Sequence, residues 1–279
     1  GMDNNQVFVG VGSDDVLSMC FLTFFNGKKP VLFPDITYSF YSVWADLYRI
    51  PYEKQKLDDN MKIVPEDYYK ENGGVIFPNP NAPTGLLMDL DSVRDIIEHN
   101  KDVVVIVDEA YIDFGGVSAK DLVNEYDNVL VVQTFSKSRS MAGMRIGYAF
   151  GSKELIKALN DVKFSFNSYT MNMTSIDMGV ASINDKKYFE ECVERITATR
   201  ERTKEELTKL GFTFPDSKAN FIFATHKSVP AKEIFEKLKD LNIFVRYFAQ
   251  PGIDNYLRIT IGTDEQMDKL ISALSEIVG

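Results

Sequence analysis

Short runs rich in valine and isoleucine alternate along the first half of this chain with amphipathic stretches of helical period. The apolar runs lie at residues 7–9, 30–33, 75–77, 103–107, 129–134 and 146–150. Because several of them are almost continuously apolar, they predict strands that are buried on both faces. The helical patterns include residues 15–25, 89–100 and 119–125. This alternation predicts an α/β fold with a mainly parallel sheet.

The rest of the chain predicts a smaller α+β unit. A charged helical pattern extends from about 186 to 210 and stops at Gly211, a residue typical of helix C-termini. Shorter elements follow: strand 220–224, helix 231–241, strands 243–246 and 256–261, and helix 264–278. We therefore predict a large domain over residues 1–185 and a small domain over residues 186–279 that begins with the long connecting helix.

Composition excludes several classes of protein. The 279 residues carry a net charge of -10, which argues against nucleic acid as the main partner. The two cysteines, Cys20 and Cys192, and the two histidines, His99 and His226, predict neither a disulfide framework nor a metal site. We find no secretory signal and no long apolar span, so we expect a cytoplasmic protein with no membrane partner.

Two charged side chains follow the predicted strands directly. Asp108 comes after the run 103–107, and Lys137 comes shortly after the run 129–134. In open α/β sheets, ligands bind at the carboxyl edge of the strands, where this carboxylate and amine can address two ends of one flat ligand. Pyridoxal phosphate needs such a pair, since a lysine binds its aldehyde and an acid keeps its ring nitrogen protonated. Taken one at a time, a strand-end aspartate and a surface lysine are common.

A second group of residues suggests an anion site. Arg145 follows Lys137 by eight residues in the run Ala-Gly-Met-Arg, and Ser136 offers a hydroxyl group. Arginine suits bidentate binding of phosphate. Near the start, the segment Gly-Val-Gly-Ser-Asp-Asp at 10–15 precedes a helix, where free N–H groups can bind an anion. By itself this segment also fits a plain helix cap.

The chain resembles the fold-type-I pyridoxal-phosphate aminotransferases of the histidinol-phosphate aminotransferase family. The motifs that carry the resemblance are Asn-Pro-Asn-Ala-Pro-Thr-Gly at 79–85, Asp-Glu-Ala-Tyr at 108–111, Ser-Lys at 136–137, Ala-Gly-Met-Arg at 142–145 and Leu-Arg-Ile-Thr-Ile-Gly at 257–262. Their order and spacing fit over nearly the whole chain.

The resemblance implies a role for each matching residue. Lys137 would hold the cofactor as a Schiff base, Asp108 would pair with the pyridinium nitrogen, and Tyr111 would contact the phenolic oxygen. Tyr38 would stack on the ring, although a core tyrosine is an alternative there. The residues expected at the cofactor phosphate are Ser13, Asp14, Ser136 and Arg145. Arg258 would bind the substrate carboxylate, and Arg246 would meet the phosphate or the side chain of the substrate, unless Arg246 is an ordinary surface charge.

The implied reaction is transamination between L-histidinol phosphate and 2-oxoglutarate in histidine biosynthesis, carried out by a homodimer. An aromatic aminotransferase and a threonine-phosphate decarboxylase are alternatives within the family. A pyridoxal-phosphate-binding protein without efficient turnover is an alternative of another class.

The sequence departs from the family pattern in two places. Where the family commonly has an asparagine before Pro-Thr-Gly, this chain has Ala82, and Asn81 lies one residue upstream. Alanine cannot donate a hydrogen bond, so either Asn81 makes the contact with the phenolic oxygen or Tyr111 makes it alone. In addition, we expect the N-terminal arm of the family, which covers the substrate pocket, to be missing from this chain.

Overall fold

A computed structural model describes residues 2–279. Its larger sheet has seven strands: β1 (Val7–Gly10), β2 (Val31–Pro34), β3 (Tyr52–Gln55), β4 (Gly74–Pro78), β5 (Val105–Asp108), β6 (Val129–Thr134) and β7 (Gly147–Gly151). Across the sheet they lie in the order β1-β7-β6-β5-β4-β2-β3. Five adjacent strands, β6, β5, β4, β2 and β3, are parallel to one another, whereas β7 and β1 pair antiparallel to their neighbours. The predicted α/β class is confirmed.

The α-helices of the described residues are α1 (Ser13–Phe24), α2 (Phe40–Tyr48), α3 (Leu90–Glu98), α4 (Lys153–Phe166), α5 (Met173–Asn184), α6 (Lys186–Lys209), α7 (Ala231–Asp240) and α8 (Asp264–Val278). A smaller antiparallel sheet contains β8 (Phe212–Thr213), β9 (Phe221–His226), β10 (Arg246–Tyr247) and β11 (Leu257–Thr260) in the order β10-β11-β9-β8. Between residues 2 and 279, no helix is both long and apolar enough to cross a membrane.

Helices cover both faces of the larger sheet, and this explains its continuous apolar strands. Every residue of β2, β4 and β5 is buried. One face packs against α1, α2 and α4 through side chains such as Phe21 and Tyr41, and the other packs against α3 through Val93 and Ile97. A separate core that includes Leu207, with residues from α7 and α8, lies under the smaller sheet.

Some predicted elements differ in type or extent. The segment predicted as a helix at 119–125 forms a 3-10 helix, Ala119–Asn124. β3 was not predicted, because of its four residues only Gln55 is buried, and its apolar signal is weak. β3 forms at the edge of the sheet by parallel pairing with β2 alone, which is a tertiary contact.

Candidate active site

One cavity lies at the carboxyl edge of the larger sheet, with a volume of about 170 Å³. It collects most of the side chains predicted for the site: Ser13, Asp14, Tyr38, Asp108, Tyr111, Ser136, Lys137 and Arg145. Its remaining lining residues are Leu17, Pro78, Ala82, Ala110 and Ala142. Residues from five separate segments of the chain therefore meet at the edge where parallel strands end.

Asp108 is the last residue of β5 and is buried. Its Oδ2 accepts a hydrogen bond of 2.8 Å from the Tyr41 hydroxyl, and its Oδ1 accepts one of 3.2 Å from the Ala110 N–H. Burial raises the pKa of Asp108 to about 6, against the opposing effect of these hydrogen bonds and of Lys137. A carboxyl group with this pKa is mostly ionised at neutral pH and can accept a hydrogen bond from a ligand.

Lys137 lies three residues past the end of β6 and faces Tyr111. Its Nζ lies 5.3 Å from the centre of the Tyr111 ring. Tyr111 in turn follows β5 by three residues and touches Phe221 of the smaller sheet edge-to-face, at 5.1 Å between ring centres. The amine is thus held against an aromatic ring on the same side of the sheet as the Asp108 carboxylate.

The N-terminus of α1 and Arg145 form the positively charged end of the cavity, which we call the anion cradle (Gly12, Ser13, Asp14, Ser136 and Arg145). Gly12 caps α1 with a φ of 99°, a conformation that favours glycine. A Cβ on Gly12 would lie 2.3 Å from Nη2 of Arg145, so the guanidinium lies directly over the start of the helix. Free N–H groups, the positive end of the helix dipole and an exposed guanidinium favour a bound phosphate.

Tyr38 lies at the mouth of the cavity, half-buried. Its hydroxyl donates a hydrogen bond of 2.9 Å to Oδ1 of Asp14. Its ring stacks on Phe40 at 5.6 Å and meets Tyr41 edge-on at 5.7 Å. The Asp14 carboxylate is therefore engaged by Tyr38, which leaves the backbone N–H groups of α1 as the part of this segment suited to an anion.

Asn81 is buried but does not line the cavity. Its Oδ1 accepts a hydrogen bond of 3.0 Å from the Thr37 hydroxyl, and its Nδ2 donates one of 3.0 Å to the carbonyl oxygen of Ile36. Both ends of the amide are thus occupied by the loop that carries Tyr38. Ala82 lines the cavity instead, and its methyl group offers no polar contact.

Arg246 and Arg258 lie opposite each other on β10 and β11, outside the cavity. The Arg258 Cζ lies 5.2 Å from the centre of the Phe221 ring. Within residues 2–279, Nε of Arg258 is buried and meets no hydrogen-bond partner. A buried N–H of a guanidinium without a partner is costly, which indicates a place for an anionic ligand. Arg246 is exposed, and its guanidinium lies 5.6 Å from the Phe248 ring centre.

Phe221 lies between the cavity and the arginine of β11, and it was not predicted as a site residue. It begins β9, is buried, and lies between the Tyr111 ring and the Arg258 guanidinium. Tyr41, which binds Asp108, was also not predicted. Its spacing of three residues from Tyr38 at the start of a helix was the available signal, whereas Phe221 carries none beyond its place in a strand.

Hydrogen bonds join the segment before β9 and the helix α6 to the loops of the larger sheet close to these residues. The Lys218 N–H donates a hydrogen bond of 2.8 Å to the carbonyl oxygen of Gly85, in the loop that follows Ala82. The buried side chain of Arg200, from α6, donates to the carbonyl oxygens of Phe114 at 2.8 Å and Ala219 at 2.9 Å. The Arg200 guanidinium therefore joins the segment after Tyr111 to the segment before Phe221.

The family model for class I and II aminotransferases matches residues 2–274. The chain is thus a pyridoxal-phosphate-dependent aminotransferase of this class. A curated histidinol-phosphate aminotransferase of Clostridium beijerinckii is 53% identical over 277 residues, which are 99% of this chain and 77% of that protein. One of Lactococcus lactis subsp. cremoris is 50% identical over 275 residues, with the same two coverages. The chain belongs to the histidinol-phosphate aminotransferase family.

A solved structure agrees on the fold. The histidinol-phosphate aminotransferase of Sinorhizobium meliloti, crystallised in complex with pyridoxal 5'-phosphate, has a TM-score of 0.90 and 21% identity, and covers 98% of this chain and 77% of that one.

The residues of the cavity fit the cofactor of the family. Pyridoxal phosphate has an aldehyde, a ring nitrogen and a phosphate, which call for an amine, an acid and an anion site. The cavity offers the Lys137 amine, the buried Asp108 carboxylate and the anion cradle. The backbone of the cradle is held by close packing, because a Cβ on Gly147 would lie 2.3 Å from the backbone nitrogen of Ser13.

Proposed function

We propose that this chain transfers an amino group from L-histidinol phosphate to 2-oxoglutarate, a step of histidine biosynthesis. The observation that carries the proposal is the single cavity in which the Lys137 amine, the buried Asp108 carboxylate and the anion cradle meet. The choice of substrates is supported by the name of the relatives that are 50% to 53% identical to this chain.

Pyridoxal phosphate, when bound, supplies an electron sink that weakens the bonds at the substrate carbon bearing the amino group. Lys137 would hold the aldehyde of the cofactor through Nζ, and the same amine, when free, would carry the proton that leaves the substrate carbon. Oδ2 and Oδ1 of Asp108 each accept one hydrogen bond within the protein, and their remaining lone pairs would hold the protonated ring nitrogen. The Tyr111 hydroxyl would donate a hydrogen bond to the phenolic oxygen.

The anion cradle binds the cofactor phosphate in this proposal. The backbone N–H groups of Ser13 and Asp14, the Ser136 hydroxyl and the Arg145 guanidinium are its donors, and Tyr38 covers one face of the ring. Asn81 has no part in it, since it does not line the cavity and its amide is bonded to Thr37 and Ile36. Tyr111 therefore makes the contact with the phenolic oxygen without the help of an asparagine.

Arg258 and Arg246 bind the substrates. Arg258 is suited to the carboxylate of glutamate and to the phosphate of histidinol phosphate, because the N–H of its buried Nε has no hydrogen-bond acceptor among the described residues. The Phe221 ring packs beside its guanidinium, with the ring centre 5.2 Å from Cζ. Arg246, exposed on the neighbouring strand, adds a second positive charge that favours the phosphate substrate.

We also propose a homodimer in which α5 lies at the interface. Several large apolar side chains of α5 are about half exposed or more: Met173, Ile176, Met178, Val180 and Ile183. A groove of about 620 Å³ between α5 and the edge of the larger sheet is lined mostly by apolar side chains. Exposed apolar side chains that cluster beside an apolar groove fit a contact with another protein. Sedimentation of the purified chain as a monomer would contradict the dimer.

The core that contains Leu207 is separate from the two cores on the faces of the larger sheet, and this separation supports a division into a large domain, residues 1–185, and a small domain, residues 186–279. The core of the small domain contains Leu207 of α6 with residues of α7 and α8, and shares none of its buried members with the cores of the larger sheet. A biosynthetic reaction on small phosphorylated and amino-acid substrates fits a location in the cytoplasm, where we propose that the enzyme acts.

The test is the visible spectrum of the purified protein loaded with pyridoxal phosphate, before and after addition of L-histidinol phosphate. We expect the band of the lysine-bound cofactor to disappear and the band of its amino form to rise, and 2-oxoglutarate to reverse the change. Lys137→Ala should abolish the first band. Lys101→Ala, which removes an exposed lysine just before the start of β5, at the end of that strand away from Asp108, is the matched control and should leave it unchanged.

The same assay separates the competing activities. Conversion of phenylalanine or threonine phosphate but not of histidinol phosphate would refute the substrate assignment. A stable lysine-bound band with no product from any of the three would indicate a cofactor-binding protein without turnover.

A further inference from the structure

Tyr41 is a buried phenol that belongs to no role assigned so far. It lies in the first turn of α2, three residues after Tyr38, and is completely buried. Its ring packs against Phe21 at 6.2 Å and against Phe33 at 5.8 Å between ring centres. A hydroxyl in such surroundings needs a hydrogen-bond partner, and its partner is the carboxylate of Asp108, at 2.8 Å.

The direction of this hydrogen bond is fixed by the chemistry of the two groups. Burial raises the pKa of Tyr41 well above its usual range, so the phenol stays protonated and acts as the hydrogen-bond donor. An ionised carboxylate only accepts, and each donated hydrogen bond favours its charged form. Tyr41 holds Oδ2 of Asp108 and the Ala110 N–H holds Oδ1, which together fix the plane of the carboxylate.

We propose that Tyr41 is a positioning residue that keeps the Asp108 carboxylate ionised and oriented toward the ring nitrogen of the cofactor. The inference rests on the proposed function, because it acts on the same cavity. Tyr41 touches neither cofactor nor substrate in this assignment and works only through Asp108.

The other charged and titratable groups around Asp108 show why one hydrogen bond matters. From α1, Asp14 disfavours the ionised carboxylate, and Cys20 is a buried thiol whose own pKa is raised by burial and by Asp108. From the loop before α2, Tyr38 is protonated, and from the loop after β6, Lys137 favours the ionised form. These opposing effects leave the pKa of Asp108 at about 6, close enough to neutrality that losing a donor changes its charge.

The test compares Tyr41→Phe with Tyr68→Phe. Tyr68 is an equally buried tyrosine, packed against Phe77 on the other face of the sheet, and serves as the matched control. The ligands are pyridoxal phosphate and an analogue in which carbon replaces the ring nitrogen, each titrated into the apoprotein. Tyr41→Phe should weaken binding of pyridoxal phosphate by about tenfold, the effect of losing a hydrogen bond to a charged group. Binding of the analogue should change by less than about twofold.

A second measurement needs no ligand. The carbon-13 shift of the Asp108 carboxyl group, followed against pH in the apoprotein, should show its pKa rising in Tyr41→Phe by about one unit. The acid limb of kcat/KM should move to higher pH in the same direction. In an Asp108→Asn background, Tyr41→Phe should have no further effect on pyridoxal-phosphate binding. If Tyr41→Phe does not fold, replacing Tyr41 with the more acidic 3-fluorotyrosine should shift the Asp108 titration to lower pH.

The outcomes distinguish this inference from the proposed function. Equal weakening of both ligands, or an unchanged Asp108 titration, would show that Tyr41 only fills space and would overturn the inference. Failure of the wild-type apoprotein to bind pyridoxal phosphate would overturn the proposed cofactor site, whatever the two tyrosine variants do.

Discussion

Gly147 begins β7 and lies against the turn that starts α1. A Cβ at this position would come within 2.2 Å of the carbonyl carbon of Gly12 and 2.3 Å of the backbone nitrogen of Ser13. Non-bonded carbon atoms normally stay about 3.5–4.0 Å apart, so Gly147→Ala forces a displacement of roughly 1 Å or more. β7 is paired on both sides, with β1 and β6, and so the start of α1 has to move.

This displacement acts directly on the anion cradle. The atoms that must move are backbone atoms, so no side-chain rotation can relieve the contact, and we expect a loss of stability of about 1–3 kcal/mol. The N–H groups of Ser13 and Asp14 would also lose their alignment with Arg145. Losing one charge-assisted hydrogen bond to the phosphate, worth about 1.5–3 kcal/mol, weakens cofactor binding by roughly 10- to 100-fold.

Gly143, four residues before Gly147 in the 3-10 helix Ala142–Met144, provides the matched control. A Cβ on Gly143 would meet nothing within 4 Å, so Gly143→Ala should bind the cofactor like the wild type. The assay is the equilibrium dissociation constant of pyridoxal phosphate for each apoprotein, with the midpoint of thermal unfolding measured beside it.

Two results would refute the reasoning. Gly147→Ala could bind pyridoxal phosphate as tightly as the wild type, which would mean that the start of α1 does not bind the phosphate. Alternatively, Gly143→Ala could lose as much affinity as Gly147→Ala. Any added methyl group near Arg145 would then disturb the site, and the close contact between Gly147 and the start of α1 would not be the cause.

Three further predictions concern residues around the cavity. Arg258→Lys should raise the KM for 2-oxoglutarate by about tenfold or more, because lysine cannot form the bidentate contact. An unchanged dissociation constant of pyridoxal phosphate would confirm that only substrate binding is affected. Burial raises the pKa of Glu109 to about 7, so the folded protein holds a proton there that the unfolded chain releases. The free energy of unfolding should therefore fall by at most about 3 kcal/mol as the pH rises from about 4.5 to 7. Denaturant titrations of Glu109→Gln should lack this dependence of stability on pH. Arg200→Met leaves the carbonyl oxygens of Phe114 and Ala219 without their donor, and calorimetry should show a loss of about 2–5 kcal/mol of stability; an unchanged melting temperature would mean that water replaces the guanidinium.

The predicted site residues that meet in the cavity share a local signal. Asp108 and Lys137 follow runs of buried valine and isoleucine, and parallel strands bring their carboxyl ends to one edge. The start of α1 was indicated by its glycines and small polar residues. For these residues the position along the chain relative to a strand or helix end was sufficient to place them.

Other contacts depended on side-chain partners that the sequence does not specify. Asn81 seemed able to take the place of the missing asparagine, but the loop with Ile36 and Thr37 occupies its amide. Arg258 lies over Phe221 and outside the cavity because the antiparallel register of β9 and β11 sets its position. These pairs are separated by more than thirty residues, and no local pattern encodes such a contact.

The sequence by itself determined the α/β class and the positions of the Lys137 amine and the Asp108 carboxylate at the edge of the sheet. Both follow from the local pattern of apolar and polar residues, which indicates where buried strands lie and where they end. It did not determine the state of that carboxylate. Tyr41 reaches Asp108 only because α2 packs its aromatic face on the sheet. Burial and hydrogen bonding set the charge of a carboxyl group, and both exist only once distant segments have packed together.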